Sequence, residues 1–240
     1  MPPPGVPGDG VTPLGARAHV FVDDIDAPRL SPGDHHHLAR VLRLGPGAVV
    51  TVGDGAGRWR PGRMSDGDTV EPTGDVEADE RPAPLITVAF ALVKGDRPEL
   101  TVQKLTEVGV DRIVPFVAER SVVRWDAAKA DRQWGRWRDI ARQAAMQCRR
   151  TWLPEVDRLV SFAAVAALPG AAMADIEGTA PTLARPVVLV GPEGGWSPGE
   201  RASRLPRVRL GSQVLRAETA SITAGALLSA LRDGSVREQA

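Results

Sequence analysis

Residues 189–200 read LVGPEGGWSPGE. The apolar run that enters this stretch, residues 187–190, is short, β-branched and unbroken, which is the composition of a strand buried on both faces. It stops at Gly191-Pro192-Glu193-Gly194-Gly195, more glycine than a simple turn needs. Glycine removes the side chain where a backbone must be approached closely or must turn left-handed. The next residues, Ser197-Pro198-Gly199-Glu200, have the pattern of a capping box, with serine at the N-cap, proline at the first helical position and glutamate three residues after the serine. Strand, glycine loop and capped helix make one βα unit of a parallel sheet. Ligands of such sheets sit beyond the carboxyl ends of the strands, where this loop lies. The competing reading is a plain strand–turn–helix with a glycine hinge.

The flanking sequence repeats the unit. LITVAFALV (85–93) is a second continuous apolar run. Pro98 opens an amphipathic helix with Leu100, Leu105 and Val108 on its core side, and Gly109 closes it. Residues 112–117 read as a strand, 131–148 as a longer helix, 171–175 and 208–210 as further short strands, and 218–232 as a final apolar helix. This alternation predicts an α/β fold with a parallel sheet covered on both faces.

Upstream the rhythm differs. Residues 19–22 and 48–52 are short β-branched runs, and GDG (53–55) and SDGD (65–68) are turn clusters. HHHLARVLRL (35–44) places Leu38, Val41, Leu42 and Leu44 at helical spacing. Short strands around one helix predict a small β-barrel. The acidic, proline-containing stretch EPTGDVEADERPAP (71–84) reads as a linker. The expected layout is a Pro/Gly-rich disordered tail over 1–15, a barrel over 16–75 and an α/β domain over 82–240.

Composition narrows the classes. Hydrophobic content is 42% and charged content 25%, ordinary for a soluble globular chain. No run of about 18 apolar residues marks a membrane span, and the N-terminus lacks the pattern of a signal peptide. One cysteine, Cys148, excludes a disulfide framework or a thiolate metal cluster and fits a cytoplasmic location. Net charge is zero but uneven: residues 1–80 hold 7 basic and 13 acidic groups, residues 81–160 hold 15 and 10. Such asymmetry fits a polyanion partner for the middle section, or a solvated helix face. In DRQWGRWRDIARQAAMQCRR (131–150), Trp134, Trp137, Ala141, Ala144 and Cys148 form one helical stripe, and the arginines fall elsewhere. The stripe reads as core rather than as a base-stacking surface. His35-His36-His37 would point in different directions on a helix, and no cysteine or acid cluster completes a metal site, so no metal is expected.

The glycine loop itself excludes ligands. No Gly-Lys-Ser/Thr follows, so it is not a phosphate loop, and the dinucleotide G-x-G-x-x-G spacing is missing. With one carboxylate and no lysine it suits a neutral or cationic ligand held by backbone groups. A second stretch, RLGSQVLRAETASITAGALLSAL (209–231), ends another strand at Leu210-Gly211, carries Val214, Leu215 and Arg216 in a short loop, and begins a helix crowded with small residues.

With both stretches in view, the chain resembles the bacterial 16S ribosomal RNA uridine-N3 methyltransferases of the SPOUT superfamily. GPEGGWSPGE and LGSQVLRAETA look like that family's GPEGGF-x-x-x-E and LG-x-x-I-L-R-T-E-T-A segments. KGDRPELTVQKLTEVGVDRIVPFVAERSVV (94–123) and HHHLARVLRLGPGAVVTVGDGAG (35–57) match two further blocks in the family's order. Trp196 stands where the family has Phe, and Ala217 where it has Thr. The resemblance implies a trefoil-knotted α/β SPOUT methyltransferase domain after a small PUA-like barrel, working as a homodimer on 16S rRNA in the small ribosomal subunit. The implied cofactor is S-adenosylmethionine, cradled by Gly191, Pro192, Glu193, Gly194, Gly195, Leu210, Gly211, Leu215 and Arg216, with Ala174 or Asp175 as a third loop. Arg216 is the expected stabiliser of charge on the base. Glu218 is either a general base or a helix cap. Expected RNA contacts are His36, Arg40, Arg43, Lys94, Arg97, Arg120, Arg142 and Arg149.

Overall fold

The computed structural model describes residues 11–238. Two compact units make it up: residues up to 81 together with 145–153, and residues 82–144 together with 154 onward.

In the first unit, β1 (His19–Phe21), β2 (Val49–Gly53), β3 (Arg58–Met64) and β4 (Val70–Pro72) form a sheet in that order, with β5 (Glu77–Ala78) also on β3. β1 and β2 are parallel and the other pairs antiparallel. Val20, Phe21, Val50, Val52, Leu38 and Met64 are in its core. The stretch expected to be a linker thus carries two strands. A ladder is made by backbone groups, so an acidic, apolar-poor edge segment can pair without showing the alternation of a half-buried strand.

The helix expected over 35–44 is two elements. α1 (Pro32–His36) starts at Ser31, whose Oγ accepts from Asp34 N at 3.1 Å. A π-helical turn follows over His37–Val41, closed by Leu42 N–H donating to His37 O at 3.0 Å. The wider turn leaves Val41 and Leu42 exposed while Leu38 and Leu44 stay buried.

Of the expected tail, residues 1–10 lie outside the described residues. Residues 12–15 form a turn, and the Arg149 guanidinium donates to the carbonyls of Pro13, Ala16 and Arg17. Residues 145–153 belong to this unit, whereas a boundary of 82–240 puts them in the second. Ala145 and Met146 lie in its core, Thr151 Oγ1 donates to Asp79 Oδ2 at 2.6 Å, and Leu153 N–H donates to Gly55 O at 2.9 Å.

The second unit is an all-parallel seven-stranded sheet. β6 (Thr87–Ala91), β7 (Arg112–Val117), β8 (Glu155–Val156), β9 (Val160–Ser161), β10 (Ala171–Thr179), β11 (Val187–Val190) and β12 (Arg207–Val208) run in the order β12-β10-β11-β6-β7-β8, with β9 also on β7. Side chains alternate faces along a strand. Val88 and Phe90 of β6 and Val188 and Val190 of β11 enter one core, while Ala89, Ala91, Val187 and Leu189 enter the other. Both faces are covered, which is why these strands read as unbroken apolar runs.

α2 (Arg97–Glu107), α3 (Ala127–Cys148), α4 (Phe162–Ala166), α5 (Pro198–Arg201) and α6 (Ala217–Arg232) complete the chain. Leu105 is buried in α2 as expected, but Leu100 is 43% exposed; Thr101 and Val102 take the inner face instead. The small residues of α6 meet α2: a Cβ on Gly225 would stand 2.7 Å from Val110 Cγ2 and 2.9 Å from Leu105 Cδ2.

Candidate active site

The chain runs from β6 outward to β7 and β8, then returns to build β10, β11 and β12 on the other side of β6. A reversal of this kind leaves a crevice at the carboxyl ends of the strands. A cleft of about 480 Å³ opens there, lined by the ends of β10 and β11, the glycine loop and the loop before α6. Of the nine residues expected to cradle a cofactor, eight line it; Gly194 does not. Ala174 and Asp175 line it too.

The glycine loop is held from several sides. Trp196 is buried and stacks on Phe116, with centroids 6.2 Å apart. Its Nε1 donates to Ala174 O at 3.0 Å, a bond that phenylalanine cannot make. The capping box is present: Ser197 Oγ accepts from Glu200 N, and a Glu200 carboxylate oxygen accepts from Ser197 N at 2.8 Å. The other carboxylate oxygen of Glu200 accepts from Glu119 N at 2.9 Å, while Ser197 Oγ donates to Glu119. Arg120 donates to Gly194 O at 3.1 Å. Glu119 and Arg120 thus tie the end of β7 to the loop. Local spacing in the sequence carries no sign of that tie.

Arg97 is the other tie that sequence reasoning missed. Expected to contact RNA, it forms an ion pair with Glu193 of the glycine loop and lies 3.9 Å from Glu218 at the start of α6. Glu218 makes no capping bond; its Oε2 is buried and has no partner among the described residues. Arg216 is the N-cap residue of α6, exposed and on the cleft, with no side-chain partner among the described residues.

The other expected RNA contacts are dispersed. His36, Arg40 and Arg43 are exposed around the π-helical turn of the first unit, and Arg43 has φ 54°. Lys94 is exposed and Arg142 half-buried in the second unit. Arg149 is a correction: its guanidinium is turned inward onto three carbonyls, so it acts as a structural clip. Among the described residues no group of three or more His, Cys, Asp or Glu side chains is placed to hold a metal ion.

The cleft fits S-adenosylmethionine on its own geometry. A Cβ on Gly195 or Gly211 would meet no protein atom within 4 Å, so both leave space a ligand can take. Gly195 has φ +67°, a conformation that other residues rarely adopt. None of the N–H groups of residues 210–216 finds an acceptor among the described residues, which leaves a run of main-chain donors beside the cleft. Both lining carboxylates are paired, Asp175 with Arg201 at 3.0 Å and Glu193 with Arg97, and no lysine lines the cleft. Ala174, Ile176, Val190, Leu215 and Ala220 supply apolar wall. Such a cleft accepts a ligand with an apolar body and polar edges that main-chain donors can meet.

The chain is similar to known proteins over most of its length. A family model described as an RNA methyltransferase domain matches residues 79–229, and one described as an RNA methyltransferase PUA domain matches residues 30–71. Ribosomal RNA small subunit methyltransferase E of Mycobacterium tuberculosis is 35% identical over 227 residues, covering 84% of this chain and 86% of that protein. The protein of the same name from Synechocystis is 32% identical over 227 residues, covering 84% and 72%. A putative methyltransferase of Legionella pneumophila, solved in complex with the bound cofactor SAM, has a TM-score of 0.75 at 27% identity, covering 88% of this chain and 96% of that one. Ribosomal RNA small subunit methyltransferase E of Neisseria gonorrhoeae, bound to S-adenosyl methionine, has a TM-score of 0.73 at 25% identity, covering 89% and 97%. The chain therefore belongs to the ribosomal RNA small subunit methyltransferase E family, with an RNA methyltransferase domain preceded by a PUA domain.

Proposed function

We propose that the protein transfers a methyl group from S-adenosylmethionine to N3 of a specific uridine in 16S rRNA of the small ribosomal subunit. The observation that carries the reading is the cleft between the glycine loop and residues 210–217, with its unpaired main-chain donors and absence of lysine. When bound, S-adenosylmethionine supplies an electrophilic methyl group on a sulfonium centre. Backbone groups of 191–195 and 210–216 hold it, and Arg97 fixes Glu193 so that the loop keeps its shape.

Uridine N3 is a nucleophile only after losing its proton, and it is the Watson–Crick donor, so the base must be unpaired and turned out of its stack. The Arg216 guanidinium, permanently charged and uncommitted, can fork onto O2 or O4 and stabilise the anion. Glu218, in the first turn of α6 next to the cleft-lining Arg216 and Ala217, is the candidate to take the N3 proton. A second copy of the chain is proposed to cover the rim of the cleft, where Val214 is 89% exposed and Ile176 is 50% exposed; light scattering across protein concentration reads this directly. The knot implied by the resemblance and a cytoplasmic site of action, where ribosomal subunits are assembled, complete the proposal.

The test is tritiated methyl transfer from S-adenosylmethionine to small ribosomal subunits, with the labelled nucleoside mapped. Label at N3 of one uridine supports the reading. Label on a ribose 2′-oxygen, or none in RNA, contradicts it.

A further inference from the structure

The second unit holds another cleft, of about 320 Å³, which the proposed reaction does not use. Its walls are Lys94 beyond the carboxyl end of β6, Glu99 of α2, Trp125, and Lys129, Gln133 and Trp137 of α3. Three observations point to a ligand.

The first is charge. The chain has only three lysines, at 94, 104 and 129. Lys104 is paired with Glu107 at 2.8 Å, and the other two both line this cleft. Both residues are exposed, and neither ammonium group has a carboxylate partner among the described residues, although the Lys129 backbone N–H donates to Asp126 Oδ1 at 2.7 Å. Glu99, the acid in the lining, is already paired with Arg136 at 2.7 Å, so it does not cancel them.

The second is an unused donor. The indole N–H groups of Trp59, Trp134, Trp152 and Trp196 each donate to an oxygen of the protein. Trp137 is 1% exposed, and its Nε1 has no acceptor among the described residues. Buried polar groups are nearly always paired, and this unpaired one belongs to a residue of the cleft lining.

The third is an aromatic face. Trp125 is half-buried, leans on Trp137 with centroids 5.6 Å apart, and has Lys129 Nζ 5.5 Å from its ring.

A ligand that satisfies all three carries negative charge, a hydrogen-bond acceptor and a flat face. A nucleotide of single-stranded RNA has each, with its base on Trp125, an acceptor edge toward the Trp137 N–H and its phosphate between Lys94 and Lys129. The position fits. β6 pairs in parallel with β11, so the loop after β6 runs beside the glycine loop, and Arg97 at its end is ion-paired with Glu193. We infer that this cleft is a second nucleotide subsite, seating an unstacked nucleotide that flanks the base to be methylated. The inference rests on the RNA-methylation reading above.

Binding of a short, labelled, single-stranded uridine-rich RNA, measured across salt concentration, tests it. Lys94→Gln with Lys129→Gln is expected to weaken RNA binding about tenfold and to flatten its salt dependence, since fewer counterions are released. Trp125→Ala is expected to weaken it by about tenfold through lost stacking, and Trp125→Phe to restore most of that loss. Uridine monophosphate should compete where inorganic phosphate does not. Calorimetry with S-adenosylmethionine on every variant should give the wild-type affinity, which shows the fold intact. The inference is overturned if the lysine variants bind RNA as the wild type does, or if Trp125→Phe is as weak as Trp125→Ala. Failure of the wild type to bind S-adenosylmethionine sinks the methyltransferase reading instead, because RNA affinity is read separately.

Discussion

Arg216 and Arg97 are both arginines of the site, and their surroundings give them different work. Arg216 is exposed on the cleft with its guanidinium uncommitted, so it is available to charge that develops on a bound base. Arg216→Ala should cut turnover by roughly two to three orders of magnitude. Single-turnover methylation would measure this, with calorimetry expected to show S-adenosylmethionine affinity within a few-fold of wild type, because the backbone donors remain. Arg97 bridges Glu193 and Glu218, so Arg97→Met should loosen the glycine loop and weaken cofactor binding several-fold, read by the same titration. The position of Arg216 on the cleft was legible in the sequence because it sits inside a contiguous motif. The role of Arg97 was not, since its partners are 96 and 121 residues away along the chain.

His19 makes a further residue-scale prediction. It is 1% exposed, bonded through Nδ1 to Thr51 Oγ1 at 2.9 Å. Burial, and then the nearby Arg149 charge, push its pKa down from 6.5 to about 4, against an opposing pull from Asp79. The unfolded chain takes up the proton below about 6.5 and the folded one does not until about 4. Stability from this site is therefore full above pH 6.5 and falls as pH drops toward 4, by roughly 3 kcal/mol across that window. Urea unfolding at several pH values should show the loss, and His19→Gln should remove most of it.

At the scale of elements, α5 is only four residues long, yet it fixes the exit of the glycine loop through its capping box. Ser197→Ala should cost about 1 kcal/mol, seen as a lower urea midpoint, and should weaken cofactor binding because the loop loses its anchor to Glu119. α6 depends on a close approach to α2 at Gly225. Gly225→Ala forces a Cβ against Leu105 and Val110 and should destabilise by roughly 1–3 kcal/mol, measured by the same unfolding. The capping box was legible because it is local, with all its partners within four residues. The π-helical turn and strands β4 and β5 were not. Apolar spacing does not tell a turn closed at i+5 from one closed at i+4, and an edge strand can pair with almost no apolar side chains.

For the whole molecule, alternating buried strands and helices were enough to read the parallel sheet, and the ends of its strands were enough to place the cleft. What the sequence hid was long-range. Residues 145–153, continuous with α3, pack with the first unit, and several expected RNA-facing arginines are committed to the protein's own carbonyls and carboxylates. The account rests on main-chain recognition of a phosphate-free methyl donor. Calorimetric titration of S-adenosylmethionine into the wild type and into Gly211→Val, each with and without excess ATP, tests this most directly. The account predicts one molecule bound per chain, undisturbed by ATP and lost in Gly211→Val, whose side chain would fill space that the ligand needs. Binding displaced by ATP, or unchanged in Gly211→Val, would contradict it.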